Sequence, residues 1–259
     1  MFIVTRNTRL VLETIGSTSS VQQRNLHQLP QIPHRLNEGI DGFLSSRSLM
    51  MHVKDVHFGL VNKLNKLTDK KTLYWGCSIP KILTMTAQDN ASALTHNIAA
   101  DCFNHEFFWQ TLRANPNRYE ALAQREDGQL EPSKTMKVHF DVHFGGYEAL
   151  QRKFKESVVT TQGSGWTYLV SVSDHMQIVN FRAGAPLTFG RNVTPLFCLD
   201  AYEHSYVHDY GTDVDLYVDN FFKAINWKFV EINMIYAQRK QLTDSSIDPE
   251  EFDNRFDFS

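Results

Sequence analysis

The chain has 259 residues, of which 42% are hydrophobic and 12% aromatic, enough apolar material for one globular body with two sub-domains. A formal net charge of −3 and a pI near 6.4 argue against broad nucleic-acid binding, and the longest apolar runs, such as Trp166 to Val172, are too short to cross a bilayer. Cys77, Cys102 and Cys198 form no CxxC and leave one thiol unpaired under any bridge, which fits a reducing compartment better than a secreted disulfide framework.

Residues 1–26 carry Arg6, Arg9 and Arg24 against a lone Glu13, with hydroxyl side chains behind an apolar start. That is the composition of a mitochondrial transit segment and predicts a matrix location. After the Pro-punctuated LHQLPQIPH, the residues Leu49, His52, Val53, Val56, Leu60 and Leu64 recur at helical spacing, predicting about six turns between Ser45 and Leu67. A second helix is predicted from Asn90 to Arg113, with Leu94, Ile98, Asp101, Cys102, His105 and Trp109 along one side and Asn115-Pro116-Asn117 ending it. Residues 27–115 therefore read as an α-hairpin domain.

The polar stretch from Pro116 to Lys137 reads as a surface loop. Beyond it, GYEALQRKFKESVV predicts a helix, and GWTYLVSVS, MQIVNFR and TPLFCLD predict three strands of a small sheet with helices on one face. Val214 to Lys240 predicts a helix pair packed back on the sheet, so residues 116–240 form an α/β domain and the fold class is α+β. Residues 241–259 are acidic and read as a mobile or partner-binding tail.

Eleven histidines are scattered along the chain, and spacing must decide which of them carry chemistry. The most informative local piece is LDAYEHSY, where an apolar run ends in Asp200 and His204 follows four residues later. A carboxylate and an imidazole at that distance can meet one cation as a strand turns into a helix. Alone, such a spacing is common.

Its context is not. GSGWTYLV at 163–170 and LDAYEHSYVHDY at 199–210, followed by YVDNFFKAINWKFVEINM, resemble the WGxGWxWL and DxWEHxYxxDY blocks of the iron/manganese superoxide dismutases. HNIAADCFNHEFFWQTL at 96–112 resembles the second-helix block of that family, and HQLPQIPH with MHVKDVHFGLVNKLN its approach segment and first helix. The resemblance covers roughly residues 27–236 in the correct order. It implies a long α-hairpin followed by a small three-stranded antiparallel sheet, and it places metal ligands at His52, His105, Asp200 and His204.

Three imidazoles and one carboxylate suit a first-row redox ion, here iron, with manganese the alternative. The resemblance implies superoxide as substrate, with dioxygen and hydrogen peroxide as products. It also implies that Glu203 bonds a ligand histidine of a partner subunit, in a homodimer or with a related chain, and that Trp166 forms a wall of the metal pocket.

The chain departs from the family's pattern at several positions. The gateway histidine and tyrosine that follow the first ligand by four and eight residues are Val56 and Leu60; His57 is adjacent, but in an α-helix one residue is about 100° of rotation, which predicts that it cannot substitute. The glutamine that bonds metal-bound solvent is Asp101, and a pocket tryptophan is Tyr202. A family tyrosine is Val207, while Ala183 in RAGAPL matches the iron-type signature. The ligand set is complete but the proton gate is altered, which predicts impaired dismutation. The alternative is a non-catalytic, dismutase-like subunit of the mitochondrial ribosomal small subunit, with ribosomal proteins as partners.

Overall fold

The computed structural model describes residues 26–30, 32–115, 130–173, 175–182 and 193–242. The leader, residues 116–129 of the predicted loop, Ala183 and the tail beyond Leu242 lie outside the described residues. No helix among the described residues is long and apolar enough to cross a membrane.

Ser45 starts the first helical arm by accepting a hydrogen bond from the Ser48 amide. The arm consists of α1 (Ser46–Met51), a π-helical turn (His52–His57) and α2 (Phe58–Leu67). It is therefore not the uniform α-helix that the spacing predicts, and π-wound residues share a face differently from α-helical ones. The short α3 (Ile79–Thr86), capped by Ser78 and opened by Pro80, was not predicted. It packs with α2 against α4 (Ala93–Thr111).

The stripe predicted for α4 does not hold. Leu94 is 63% exposed, whereas every residue from Cys102 to Trp109 is buried, because α2 and α3 cover one flank and the sheet covers another. A helix enclosed on several sides has no reason to segregate its apolar residues.

Ser133 caps α5 (Lys134–Phe144), so the predicted loop ends before Lys134 rather than at Lys137. Gly145, at φ 85°, closes α5, and α6 (Tyr147–Val159) follows. Strands β1 (Gly165–Val172), β2 (His175–Arg182) and β3 (Val193–Asp200) form an antiparallel sheet in the order β2-β1-β3. A register shift at Leu169/Val170 absorbs one residue of β3 beside Pro195, a position suited to a residue that cannot donate to the ladder.

The sheet is covered on both faces, not one. Tyr168 donates to Asn104 of α4, while its neighbour Thr167, on the opposite face, meets Asn180, which bonds Ser157 of α6. Accordingly β3 is buried throughout from Thr194, and its continuous apolar run is the signature of a doubly covered strand. Helices α7 (Glu203–Tyr210), α8 (Val214–Ala224) and α9 (Trp227–Leu242) complete the fold, with α9 packed on β3. The backbone bridge Leu112↔Ile225 ties the end of α4 to the turn between α8 and α9, and one hydrophobic core runs through both halves.

Candidate metal centre

Three separate stretches of chain deliver the site. His52 opens the π-helical turn, His105 sits in the enclosed part of α4, Asp200 ends β3, and His204 lies on the first turn of α7. Trp166 is the register partner of Asp200, so β1 and β3 present this pair on the face that meets α4. The four predicted ligands offer donor atoms that all lie within 4.8 Å of one another.

The spacing around Asp200 is that of neighbouring donors in a coordination sphere. Asp200 Oδ2 lies 3.1 Å from His52 Nε2, 3.2 Å from His204 Nε2 and 3.7 Å from His105 Nε2. An ion with bonds of about 2.0–2.2 Å sets its donors about 3–4 Å apart. Despite its distance, His52 Nε2 makes no well-aligned hydrogen bond, and His105 Nε2 has no partner at all, although both rings are essentially buried. Such orphaned nitrogens are costly unless something else receives their lone pairs. A metal ion fits that requirement.

The surrounding bonds orient the set. His105 Nδ1 lies 2.7 Å from the carbonyl oxygen of Asp101, which can only accept, so Nδ1 carries the proton and Nε2 the lone pair. Asp200 Oδ1 accepts from the Tyr202 amide at 2.9 Å and its carbonyl accepts from the Tyr217 hydroxyl at 2.8 Å, which leaves Oδ2 for the centre. Burial alone would raise the Asp200 pKa, but His204 and His52 outweigh it and hold the carboxylate well below its usual range. Burial lowers the pKa of His52 and His105, keeping both neutral as ligands must be. At His204 burial is outweighed by Asp200, and the pKa rises.

The supporting residues fall around this core. Trp166 is buried and meets His105 edge-on, with ring centroids 5.0 Å apart, and Tyr202 stacks on His204 at 5.4 Å. The Asp101 carboxyl is pushed up to about 6, first by burial and then by the Asp200 charge. Trp166 works the other way on Asp101, although its indole N–H falls short of hydrogen-bond geometry. Glu203 is exposed at the start of α7, with its side chain over Gly163; a Cβ added to that glycine would come within 2.8 Å of Glu203 Cγ. Val56 and Leu60 are half-buried, and Val207 is 46% exposed.

His57 corrects the prediction made from helical rotation. It is fully buried, its ring stacks on His105 at 5.1 Å, and its Nδ1 accepts from the Trp109 indole at 3.2 Å. The one-residue offset loses its force because the helix is π-wound over His52–His57. One of the His57 nitrogens is committed to Trp109. Trp109, edge-on to His52 at 4.8 Å, and Tyr217 were not identified as site residues either. No spacing rule links Tyr217 to Asp200, whereas the position of Trp109, one helical turn beyond His105, was a usable signal.

Comparison with known proteins agrees with this geometry. Residues 132–233 match the family described as iron/manganese superoxide dismutases, C-terminal domain. The chain is 31% identical over 209 residues to a superoxide dismutase [Mn/Fe] of Rickettsia conorii, covering 80% of this chain and 92% of the relative. It is 30% identical over 209 residues to a superoxide dismutase [Fe] of Photobacterium leiognathi, covering 80% and 98%, and 29% identical over 209 residues to that of Escherichia coli, covering 80% and 97%.

Proposed function

Because the chain belongs to the iron/manganese superoxide dismutase family, we propose that it binds one iron or manganese ion at His52, His105, Asp200 and His204 and dismutates superoxide slowly. The observation that carries this reading is the pair of orphaned, buried Nε2 atoms of His52 and His105, 3.1 and 3.7 Å from the Asp200 carboxylate. When bound, the ion supplies reversible one-electron exchange, giving dioxygen in one half-reaction and, with two protons, hydrogen peroxide in the other.

The protein's own part is to orient and to move protons. The Asp101 carbonyl fixes the His105 tautomer, while Trp166 and Tyr202 pack an aromatic wall against His105 and His204. The Asp101 carboxyl stands where the family has a neutral amide. Protonated, it can donate as an amide does; ionised, it favours the oxidised ion and repels an anionic substrate. With Val56 and Leu60 in place of a histidine and a tyrosine, two groups able to relay protons are absent from the first arm. That loss is the reason for a slow reaction.

The test is superoxide decay on metal-loaded protein, set beside a Val56→His, Leu60→Tyr, Asp101→Gln variant. The triple variant is expected to be at least about tenfold faster, a modest part of the roughly 10²–10⁴-fold that positioned proton transfer contributes. Equal rates would refute the altered gate, and purified protein without iron or manganese near one per chain would refute the metal centre. The apolar Val56 and Leu60 also favour a second reading, a dismutase-like subunit of the mitochondrial ribosome with no catalytic role. Co-sedimentation with ribosomes in a mitochondrial lysate supports that reading, whereas migration as a small free dimer opposes it.

A further inference from the structure

Outside the metal centre, α5 and β2 bring three more histidines together. His139 and His143 stand four residues apart on α5, so they share a helix face, and their rings stack with centroids 6.2 Å apart. His175, the first residue of β2, meets His143 edge-on at 5.7 Å. The Gln238 amide on α9 donates to His139 Nε2 at 3.2 Å, a contact that an ion taking that lone pair has to replace. The H-x-x-x-H spacing is the one with which helices present two imidazoles to a single ion.

We propose that His139, His143 and His175 form a second transition-metal site, for a borderline divalent ion such as Zn²⁺, Ni²⁺ or Cu²⁺. The donor chemistry selects the ion: three imidazoles without a carboxylate suit zinc, nickel and copper and do not suit calcium or magnesium. The geometry is close to what is needed. Two imidazoles on one tetrahedral ion with bonds of about 2.0–2.1 Å have ring centroids about 5 Å apart, so the observed separations must close by about 1 Å. The nitrogens are accordingly not yet gathered as tightly as those of the first centre. His175 is exposed and His139 and His143 are half-buried, which leaves their side chains room to rotate towards one another. Burial, together with its two histidine neighbours, holds the His143 pKa below its ordinary value, which keeps its lone pair available at neutral pH.

The deciding experiment titrates Zn²⁺ against a chromophoric chelator, using the full chain already loaded with iron or manganese. One further equivalent is expected. His143→Gln and, separately, His139→Gln should each weaken that equivalent by at least about tenfold, since losing even an outer partner of a metal ligand costs 10–100-fold. Asp200→Asn, which damages the first centre, should leave it unchanged, and Cu²⁺ bound there should show nitrogen hyperfine coupling from more than one imidazole. Unaltered Zn²⁺ affinity in both α5 variants would overturn the proposal, as would loss of the further equivalent in Asp200→Asn alone. Circular dichroism of each variant identifies any loss of fold, and the two α5 substitutions, at half-buried positions, are expected to pass that control.

Discussion

Asp200 is enclosed by three imidazoles and is the only anion among the four ligands, so its charge does most to hold a cation there. Asp200→Asn keeps the shape and the acceptor for the Tyr202 amide but removes that charge. Metal content of the purified protein, measured by mass spectrometry, is expected to fall by at least about tenfold, since perturbing even an outer partner costs that much. Asp101→Gln acts on the ion's oxidation state. An ionised carboxyl near the centre stabilises the oxidised ion, so the neutral amide should raise the midpoint potential by at least about 60 mV, a tenfold change for one electron, in spectroelectrochemical titration. A metal-filled protein with an unchanged potential would show that Asp101 stays protonated through the cycle.

At the scale of elements, the loop before β1 and the start of β1 itself have almost no spare room. A Cβ on Gly165 would come within 2.6 Å of the Phe181 carbonyl oxygen, in the backbone of the neighbouring strand. Gly165→Ala therefore has to part β1 from β2 just beside Trp166. It is expected to cost about 1–3 kcal/mol by denaturant unfolding, the usual range for overpacking, and to weaken metal binding with it. The elements also show where periodicity could be read. β1 to β3 and α6, α8 and α9 sit where their patterns placed them, because each is long or bounded by clear turn signals. α3 is short and lies behind a surface-like segment, and the π-turn has no separate sequence signature, so neither was legible.

For the whole molecule, acid should be the weak side. His34 is buried with Nε2 on the Trp109 carbonyl, and burial holds its pKa down to about 4 from an ordinary 6.5. Between those values the unfolded chain binds more protons than the folded one, so stability is complete above pH 6.5 and falls as the pH drops towards 4. His34 by itself should remove roughly 2 kcal/mol between pH 7 and pH 5, measured by urea unfolding at each pH. His34→Phe should flatten that part of the pH dependence even though it is less stable at pH 7, whereas an unchanged slope would place the acid sensitivity elsewhere. Glu203 is exposed at the start of α7, and the family resemblance implies that it bonds a ligand histidine of a partner subunit. Glu203→Ala is expected to shift sedimentation towards monomer while leaving each monomer folded.

The sequence by itself determined the fold class, the three strands and the four residues of the candidate metal centre, because ordered motifs spaced over 200 residues leave little freedom in which residues meet. The resemblance also marked Val56, Leu60 and Asp101 as departures from the family's pattern, which are matters of residue identity. Only the tertiary structure decided the environment of those residues. It covered both faces of the sheet, enclosed α4, and wound the first arm as a π-helix so that His57 stacks on His105 instead of turning away from it. It also gathered His139, His143 and His175, which the sequence leaves more than thirty residues apart from first to last. The reason is physical: helical phase and burial depend on what packs against each element, and that is set by contacts between residues distant in the chain.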